Sequence, residues 1–388
     1  MHEVPAKRII IILPHTGSGG DSQVILNLLS ALRPHSIEFH ILTSQRGDLH
    51  TDFARYGHLH TFPLDDTRFI RRLFRRFFMS FFVALKRRYG HYLIKKLDPD
   101  LLYINTVNEH EFSQAALRSG KKMVVHPHEM GFVVTQRMRG SWIEELMLRA
   151  YTVVSPAVAV SEFYCDVFGV EESKIRLIHE TVSDMRLSRL PGPNLRERLG
   201  IKPDTILVGS VGSVIYRKGV DTFLRACLIL REKLPEQQLV FLWLGGKPEL
   251  LKSQPYYRAL QKSIVRHDLS NCFRLLPHKA DVADFYAELD IFALPSRMEA
   301  FPLVVLEALL AQKPVVAMDV AGVREVVDSE TGYLVKDRTP EGLAEGILCL
   351  INSEKRRRQA GINGRKRVLE KFESSVQAPK WLDILENT

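Results

Sequence analysis

The chain reads as an α/β protein of two consecutive domains, each a parallel sheet covered by helices on both faces. Three features predict this. At 388 residues the chain is long for one core and comfortable for two. Each half opens on the same unit: an apolar strand, a glycine-bearing turn and an amphipathic helix. In the second half, short all-apolar strands alternate with helical stretches, as strands buried on both faces do.

In the first half the strand Arg8–Leu13 meets Thr16-Gly17-Ser18-Gly19-Gly20, and a helix follows from about Asp21 to Leu32. Asp21 is the expected N-cap, and Val24, Ile25, Leu28, Leu29 and Leu32 recur at helical spacing. The apolar run Ile9–Leu13 is too short for a signal peptide's core. Val124–Glu129 ends a strand, and another, Lys174–Ile178, runs toward the Pro/Gly-rich stretch Leu190–Asn194 inside a boundary at His179–Ile201. The second half then predicts strands at Thr205–Val211, Leu239–Leu244, Phe273–Leu276, Ile291–Leu294, Pro314–Met318 and Tyr333–Val335. Helices are expected at Val220–Lys233, Pro255–His267, Val282–Leu289, Leu303–Ala311 and Pro340–Asn352. The expected domains are 1–180, 181–365 and a C-terminal helix, 366–388, crossing back to the first. Ligands of such Rossmann-like domains sit at the carboxyl ends of the strands, which places the expected site in a cleft between two facing sheets.

Composition narrows the function classes. The chain is 45% hydrophobic and 26% charged, an ordered globular composition. Cys165, Cys227, Cys272 and Cys349 form no CxxC pair, which argues against a zinc site or disulfide framework and suits a reducing cytoplasm. No stretch approaches the roughly 20 apolar residues of a membrane span. The expectation is a cytoplasmic protein, at most peripheral on the inner face of the membrane. The formal charge of +9 admits anionic partners. Eight basic residues and no acidic one lie between Arg68 and Arg88, with Phe69, Leu73, Phe77, Phe81 and Leu85 recurring every four positions. That pattern fits either an interfacial helix on an anionic membrane or an ordinary helix packed on its own sheet. Nucleic acid is not an expected partner, for no stacking motif, zinc signature or helix-turn-helix accompanies the charge.

The segment Leu294–Ala308 carries the chemistry. A strand ends at Leu294, a loop presents Glu299, and Pro302 suits the first turn of a helix. Amides at a helix start lack partners and carry partial positive charge, so a diphosphate docks well there. Glu307, about one turn inside, can accept from paired ribose hydroxyls, and Glu299 can reach a hexose hydroxyl. Such spacing alone would ordinarily mean two solvated acids. Here Leu303–Leu310 is apolar at every position but Glu307, and an unpaired carboxylate there is costly unless it has a task.

Ser296-x-x-Glu299-x-Phe301-Pro302-Leu303-Val304-x-Leu306-Glu307-Ala308, with Lys313-Pro314-Val315-Val316-Ala317 and Ala321-Gly322-Val323-x-Glu325, resembles the signature of family 4 glycosyltransferases. The resemblance implies the GT-B fold, a retaining reaction, a nucleotide-sugar donor in the C-terminal domain and an acceptor in the N-terminal one. That acceptor is a glycan or a lipid-linked glycan. Val211-Gly212-Ser213-x-x-x-Arg217-Lys218-Gly219 resembles the family's phosphate-binding loop; Lys218 matches its lysine, and Ser213 stands where an arginine is usual, so Arg217 is read as supplying that charge. Gly19-Gly20 resembles the glycine pair under the donor phosphates, and His128, rather than its alternative His126, matches a strand-end histidine facing the sugar. The resemblance thus assigns His128, Glu299 and Lys218 to catalysis. It assigns donor binding to Gly19, Gly20, Ser213, Arg217, Lys218, Gly245, Leu276, Pro277, Ser296, Glu299, Ala300, Phe301, Leu303 and Glu307.

The cations answer the charge that develops on a departing diphosphate. With no Asp-x-Asp of the metal-dependent transferase kind, neither metal nor cofactor is expected. One segment departs from the family: His179-Glu180-Thr181-Val182-Ser183-Asp184 stands where Pro-Asn-Gly-Val-Asp is usual, giving the hinge different polar groups. The competing readings are a nucleotide-sugar epimerase of the same fold, which needs acid/base carboxylates that the sequence does not place, and a basic nucleic-acid-binding protein, which leaves Glu299 and Glu307 unexplained.

Overall fold

A computed structural model describes residues 6–33, 35–64, 79–131, 133–137, 141–183, 195–246, 251–252, 254–279 and 282–387. The chain divides into two compact units, Met1–Thr181 with Ser374–Thr388, and Val182–Glu373.

The first unit is built on seven parallel strands in the order β3-β2-β1-β4-β5-β6-β7. These are β1 (Lys7–His15), β2 (Ile37–Gln45), β3 (His58–Thr61), β4 (Leu101–Asn105), β5 (Met123–His126), β6 (Thr152–Ser155) and β7 (Ile175–Leu177). Between them run α1 (Gly20–Leu32), α2 (His50–Phe53), α3 (Met79–Leu97), α4 (His110–Ser119), α5 (Ser141–Arg149) and α6 (Val158–Phe168). β1 lies centrally, with Ile9 paired to Phe39 on one side and to Leu101 on the other. Its run Ile9–Leu13 is fully buried because helices cover both faces. Asp21 is not the N-cap of α1: Gly19 takes that place with no side-chain bond, and Asp21 lies in the first turn, where its charge suits the helix dipole.

The second unit carries six parallel strands in the order β10-β9-β8-β11-β12-β13. They are β8 (Ile206–Val211), β9 (Leu239–Leu244), β10 (Phe273–Leu276), β11 (Ile291–Leu294), β12 (Val315–Met318) and β13 (Gly332–Val335). Its helices are α7 (Leu195–Leu199), α8 (Val220–Lys233), α9 (Pro255–Arg266), α10 (Ala283–Glu288), α11 (Leu303–Leu310), α12 (Val323–Val326), α13 (Pro340–Ile351) and α14 (Glu354–Lys371). Val208 pairs with Phe241 on β9 and Ile291 on β11, so the strand order reverses beside β8. A ligand crevice belongs at such a reversal.

The last helix, α15 (Ser374–Asn387), belongs to the first unit. Ala378, Trp381, Ile384 and Leu385 join the same apolar cluster as Ile25, Leu29 and Leu32 of α1. Trp381 lies 5.6 Å from the Tyr103 ring and 5.2 Å from that of His126, so this helix buttresses the floor of the strand-end histidines.

Of the basic segment Arg68–Arg88, residues 68–78 lie outside the described ones. In the remainder, Lys86 pairs with Glu109 at 2.9 Å and Arg87 with Glu111 at 3.0 Å. Phe82 meets Phe62 edge-on, while Phe81 is 55% exposed. Among the described residues no helix is long and apolar enough to cross a membrane.

Candidate active site

In the second unit the site is built on loops at the carboxyl ends of β8 and β11. After β8 the chain forms a single 3-10 turn, Tyr216–Lys218, and then Gly219. Gly219 has φ +74°, and a Cβ there would meet the Pro295 carbonyl oxygen at 2.0 Å. Glycine therefore lets the loop of Lys218 press on the loop of Glu299. Lys218 Nζ lies 2.6 Å from Glu299 Oε1, which also accepts from Ser296 Oγ at 2.7 Å. Arg217 Nη1 lies 3.5 Å from Glu299 Oε2 and donates to the Met298 carbonyl at 2.9 Å. Glu299 is 6% exposed. Burial alone would raise its carboxyl, but Lys218, then Arg217, and the bonds from Lys218 and Ser296 hold it below the ordinary range.

Sequence reasoning missed what braces this corner. Arg297 grips Asp221 with both Nη atoms, at 2.8 and 2.7 Å, and lies 3.9 Å over the Tyr216 ring. The Tyr256 hydroxyl donates to Asp221 at 2.6 Å. A bidentate pair of this kind fixes orientation as well as charge. The same Arg297 follows Ser296 in the motif, yet its partner lies 76 positions away, and nothing local announces it.

Glu307, in the second turn of α11, is buried and accepts from the Tyr286 hydroxyl at 2.8 Å. Pro302 caps α11 rather than occupying its first turn, and no side chain caps the helix start. Ser296, Ala300, Phe301 and Leu303 are buried around that start, with Phe301 5.8 Å from the Phe372 ring. Gly245 ends β9 at φ +148°, where a Cβ would strike the Gly212 carbonyl at 2.0 Å. Ser213 is exposed, as is Pro277 just after Leu276 at the end of β10. All these predicted residues thus gather at the carboxyl ends of β8 to β11.

In the first unit Gly19 caps α1 and Gly20 opens it, at the end of β1. His128, two residues past β5, is ringed by polar groups. Its Nδ1 lies 2.8 Å from Glu180 Oε1 and its Nε2 2.7 Å from Asn105 Oδ1. Burial opposes a charged ring, but the bond and charge of Glu180, with Glu129 and Asp21, outweigh it and raise the His128 pKa. His126 behaves oppositely: burial and then the neighbouring His128 push its pKa well down, so it is neutral. Its Nδ1 bonds the Tyr103 hydroxyl at 2.7 Å. Glu129 accepts from Thr106 and Asn108 and from the His128 amide at 3.1 Å, with Thr106 held at the unusual φ of +79°. Donor atoms of His126, His128 and Glu180 all lie within 4.8 Å of one another. Both nitrogens of His128 are engaged by Glu180 and Asn105, so this set is a hydrogen-bonded network.

These folds and loops define the class of the GT-B glycosyltransferases. The structure aligns over 98% of this chain and 100% of Anabaena HepE in complex with UDP and glucose, at 20% identity and a TM-score of 0.81. It also aligns with sucrose-phosphate synthase of Thermosynechococcus elongatus, over 98% of each chain at 19% identity and a TM-score of 0.79. Within that class the family is specific. Residues 18–186 match the model described as Glycosyltransferase Family 4, and residues 192–367 that of Glycosyl transferases group 1. The chain belongs to the family 4 glycosyltransferases.

Its curated relatives include an uncharacterised glycosyltransferase of Methanocaldococcus jannaschii, 26% identical over 57% of this chain and 56% of that protein. A D-inositol 3-phosphate glycosyltransferase of Kineococcus radiotolerans is 30% identical over 52% and 49%. The chain spans about half the length of the curated relatives it matches.

Proposed function

We propose that this chain is a retaining glycosyltransferase that moves a sugar from a nucleotide donor to a glycan or lipid-linked glycan, without a metal. The observation that carries the reading is the cluster in which half-buried Lys218 meets buried Glu299 and Ser296, beside the start of α11, which no side chain caps. Lys218, Arg217 and the α11 start stabilise the negative charge that develops on the departing diphosphate. Glu299 takes a sugar hydroxyl and Glu307 the ribose. Ser213, Gly245, Leu276, Pro277, Ala300, Phe301 and Leu303 line the donor, with Gly19 and Gly20 serving its phosphates. The acceptor attacks from the face of the departing group, a donor phosphate oxygen takes its proton, and His128 steadies the sugar. A UDP-sugar is the first donor to try, since HepE is solved with UDP-glucose.

The test is a screen of UDP-, GDP- and ADP-sugars for nucleoside diphosphate released only when an acceptor glycan is present. Nucleotide release that no acceptor stimulates, with a changed sugar recovered, would assign an epimerase instead. Activity is expected to be unchanged in EDTA; complete loss restored by magnesium or manganese refutes the metal-free mechanism. The same reading puts the protein in the cytoplasm, with the 68–88 segment touching the membrane's anionic inner face. Phe81 is its exposed apolar contact there. Vesicles rich in acidic lipid should then sediment the protein at low salt and release it at high salt. Protein left in the supernatant at low salt removes the membrane from the proposal.

A further inference from the structure

We propose that Glu180 is the positioning residue of His128, holding it as an imidazolium with both N–H groups engaged. The strand-end histidine is then a fixed positive charge and not a base. The structural half stands on geometry in the first unit; its catalytic consequence rests on the transferase reading above.

The orientation of Asn105 decides the first nitrogen. Asn105 Nδ2 donates to the Asp21 carbonyl at 3.1 Å, so its oxygen is the atom turned to His128 Nε2 at 2.7 Å. An amide oxygen only accepts, and Nε2 must therefore carry a hydrogen. The other nitrogen, Nδ1, faces a carboxylate oxygen of Glu180 at 2.8 Å, with the two side chains 9% and 6% exposed. A carboxylate also only accepts, which puts a second hydrogen on the ring.

The surroundings favour this state over a neutral ring beside a protonated Glu180. The ring is faced by Glu180, by Glu129 next along the chain and by Asp21 in the first turn of α1. Asn105 at the end of β4 and His126 at the end of β5, whose ring centroid is 4.1 Å away, also adjoin it. His126 is kept neutral, so His128 is the cation of this cluster. A charge-assisted bond between buried partners is short and directional, and it fixes the ring plane. Both nitrogens are thereby occupied, and neither offers a lone pair to an acceptor hydroxyl. What the ring presents is charge, suited to a phosphate or to a sugar oxygen that gains electron density. Glu180 lies in the segment that departs from the family's usual Pro-Asn-Gly-Val-Asp.

Histidine-selective 15N labelling of the full chain and long-range 15N–1H spectra at pH 7.5 read the ring directly. The His128 signals are identified by their loss in His128→Gln. Both ring nitrogens should be protonated in the native protein. In Glu180→Gln the ring should become neutral with one N–H, and Glu180→Asp should restore the imidazolium. A neutral ring in the native protein, or an imidazolium that survives Glu180→Gln, overturns the proposal. If Glu180→Gln does not fold by circular dichroism, the native spectrum alone decides. No donor is needed, so failure here is separate from failure of the transferase reading. With an active donor in hand, Glu180→Gln should lower kcat about tenfold or more and leave donor KM within about twofold; an unchanged kcat removes the catalytic consequence.

Discussion

The two units each bury a carboxylate against a basic side chain near the carboxyl end of a parallel strand, Lys218 with Glu299 in one and His128 with Glu180 in the other, yet they assemble the pair differently. In the second unit Lys218, Ser296 and Glu299 come from two short loops, and each loop is a recognisable run of residues. In the first unit Asp21, Asn105, His128 and Glu180 come from four separate places; Asp21 follows the glycine pair and His128 ends a strand in a familiar pattern, but Asn105 and Glu180 stand in none. The polarity is also reversed. In one a carboxylate is the centre, held down by cations; in the other a cationic ring is the centre, held by carboxylates. A site that must offer steady charge needs a fully bonded cation.

The largest effect expected from breaking this contrast is at Lys218. Lys218→Ala removes the proposed phosphate partner and leaves buried Glu299 without its nearest cation. Donor-dependent nucleotide release should fall roughly 100-fold or more, with circular dichroism unchanged in shape. Full activity would sink the site assignment. Glu307→Ala should cost less, about 1.5–3 kcal/mol for a lost charged hydrogen bond, seen as a tenfold or greater rise in donor KM. Tyr286→Phe, which removes the hydroxyl bonded to Glu307, should weaken donor binding in the same direction and by less. If Tyr286→Phe exceeds Glu307→Ala, the tyrosine and not the carboxylate meets the donor.

How much of this was legible follows the same divide. Strands β9, β10 and β11 and helix α8 were bounded to the residue, because each is a short apolar run punctuated by glycine, proline or charge. β2 escaped notice: its buried positions include His40, Thr43 and Ser44, which disguise a core strand. The sequence predicts one helix over 366–388, whereas α14 ends at Lys371 and α15 begins at Ser374. The Glu299 motif and the Lys218 loop are legible because their residues are neighbours in sequence. Glu180 was visible only as a departure from pattern, since its partner lies 52 positions earlier and only folding brings them together. Thr106 at positive φ carries no sequence mark at all, because nothing about a β-branched residue predicts that conformation.

Acid should separate the two units, with the smallest effect of the set. In the first unit His60 is lowered to about 4, chiefly by burial, then by His40 and His58. His40 and His126 are lowered as well, again with burial foremost. A histidine with a depressed folded pKa binds its proton more readily when unfolded. Stability is therefore lost as pH falls below the unfolded value of about 6.5, and for His60 the loss continues to about 4. His128, raised by Glu180, has its stabilisation fully present below about 6.5 and loses it only as pH climbs through its folded value, so it does not offset the loss. Glu129, raised by burial first, pulls the other way above its unfolded value. In the second unit Asp221 and Glu299 are both lowered, and their stabilisation persists until pH falls below about 4. Between pH 6.5 and 5 the first unit should therefore loosen by about 1–2 kcal/mol while the second holds. Hydrogen exchange by mass spectrometry at pH 7.5 and 5.0, corrected for intrinsic rates, should show peptides of residues 6–181 losing protection before those of 195–373. His60→Gln should shrink the difference. If the second unit loosens first, or both loosen together, the contrast between a histidine-centred and a carboxylate-centred unit does not extend to their stability.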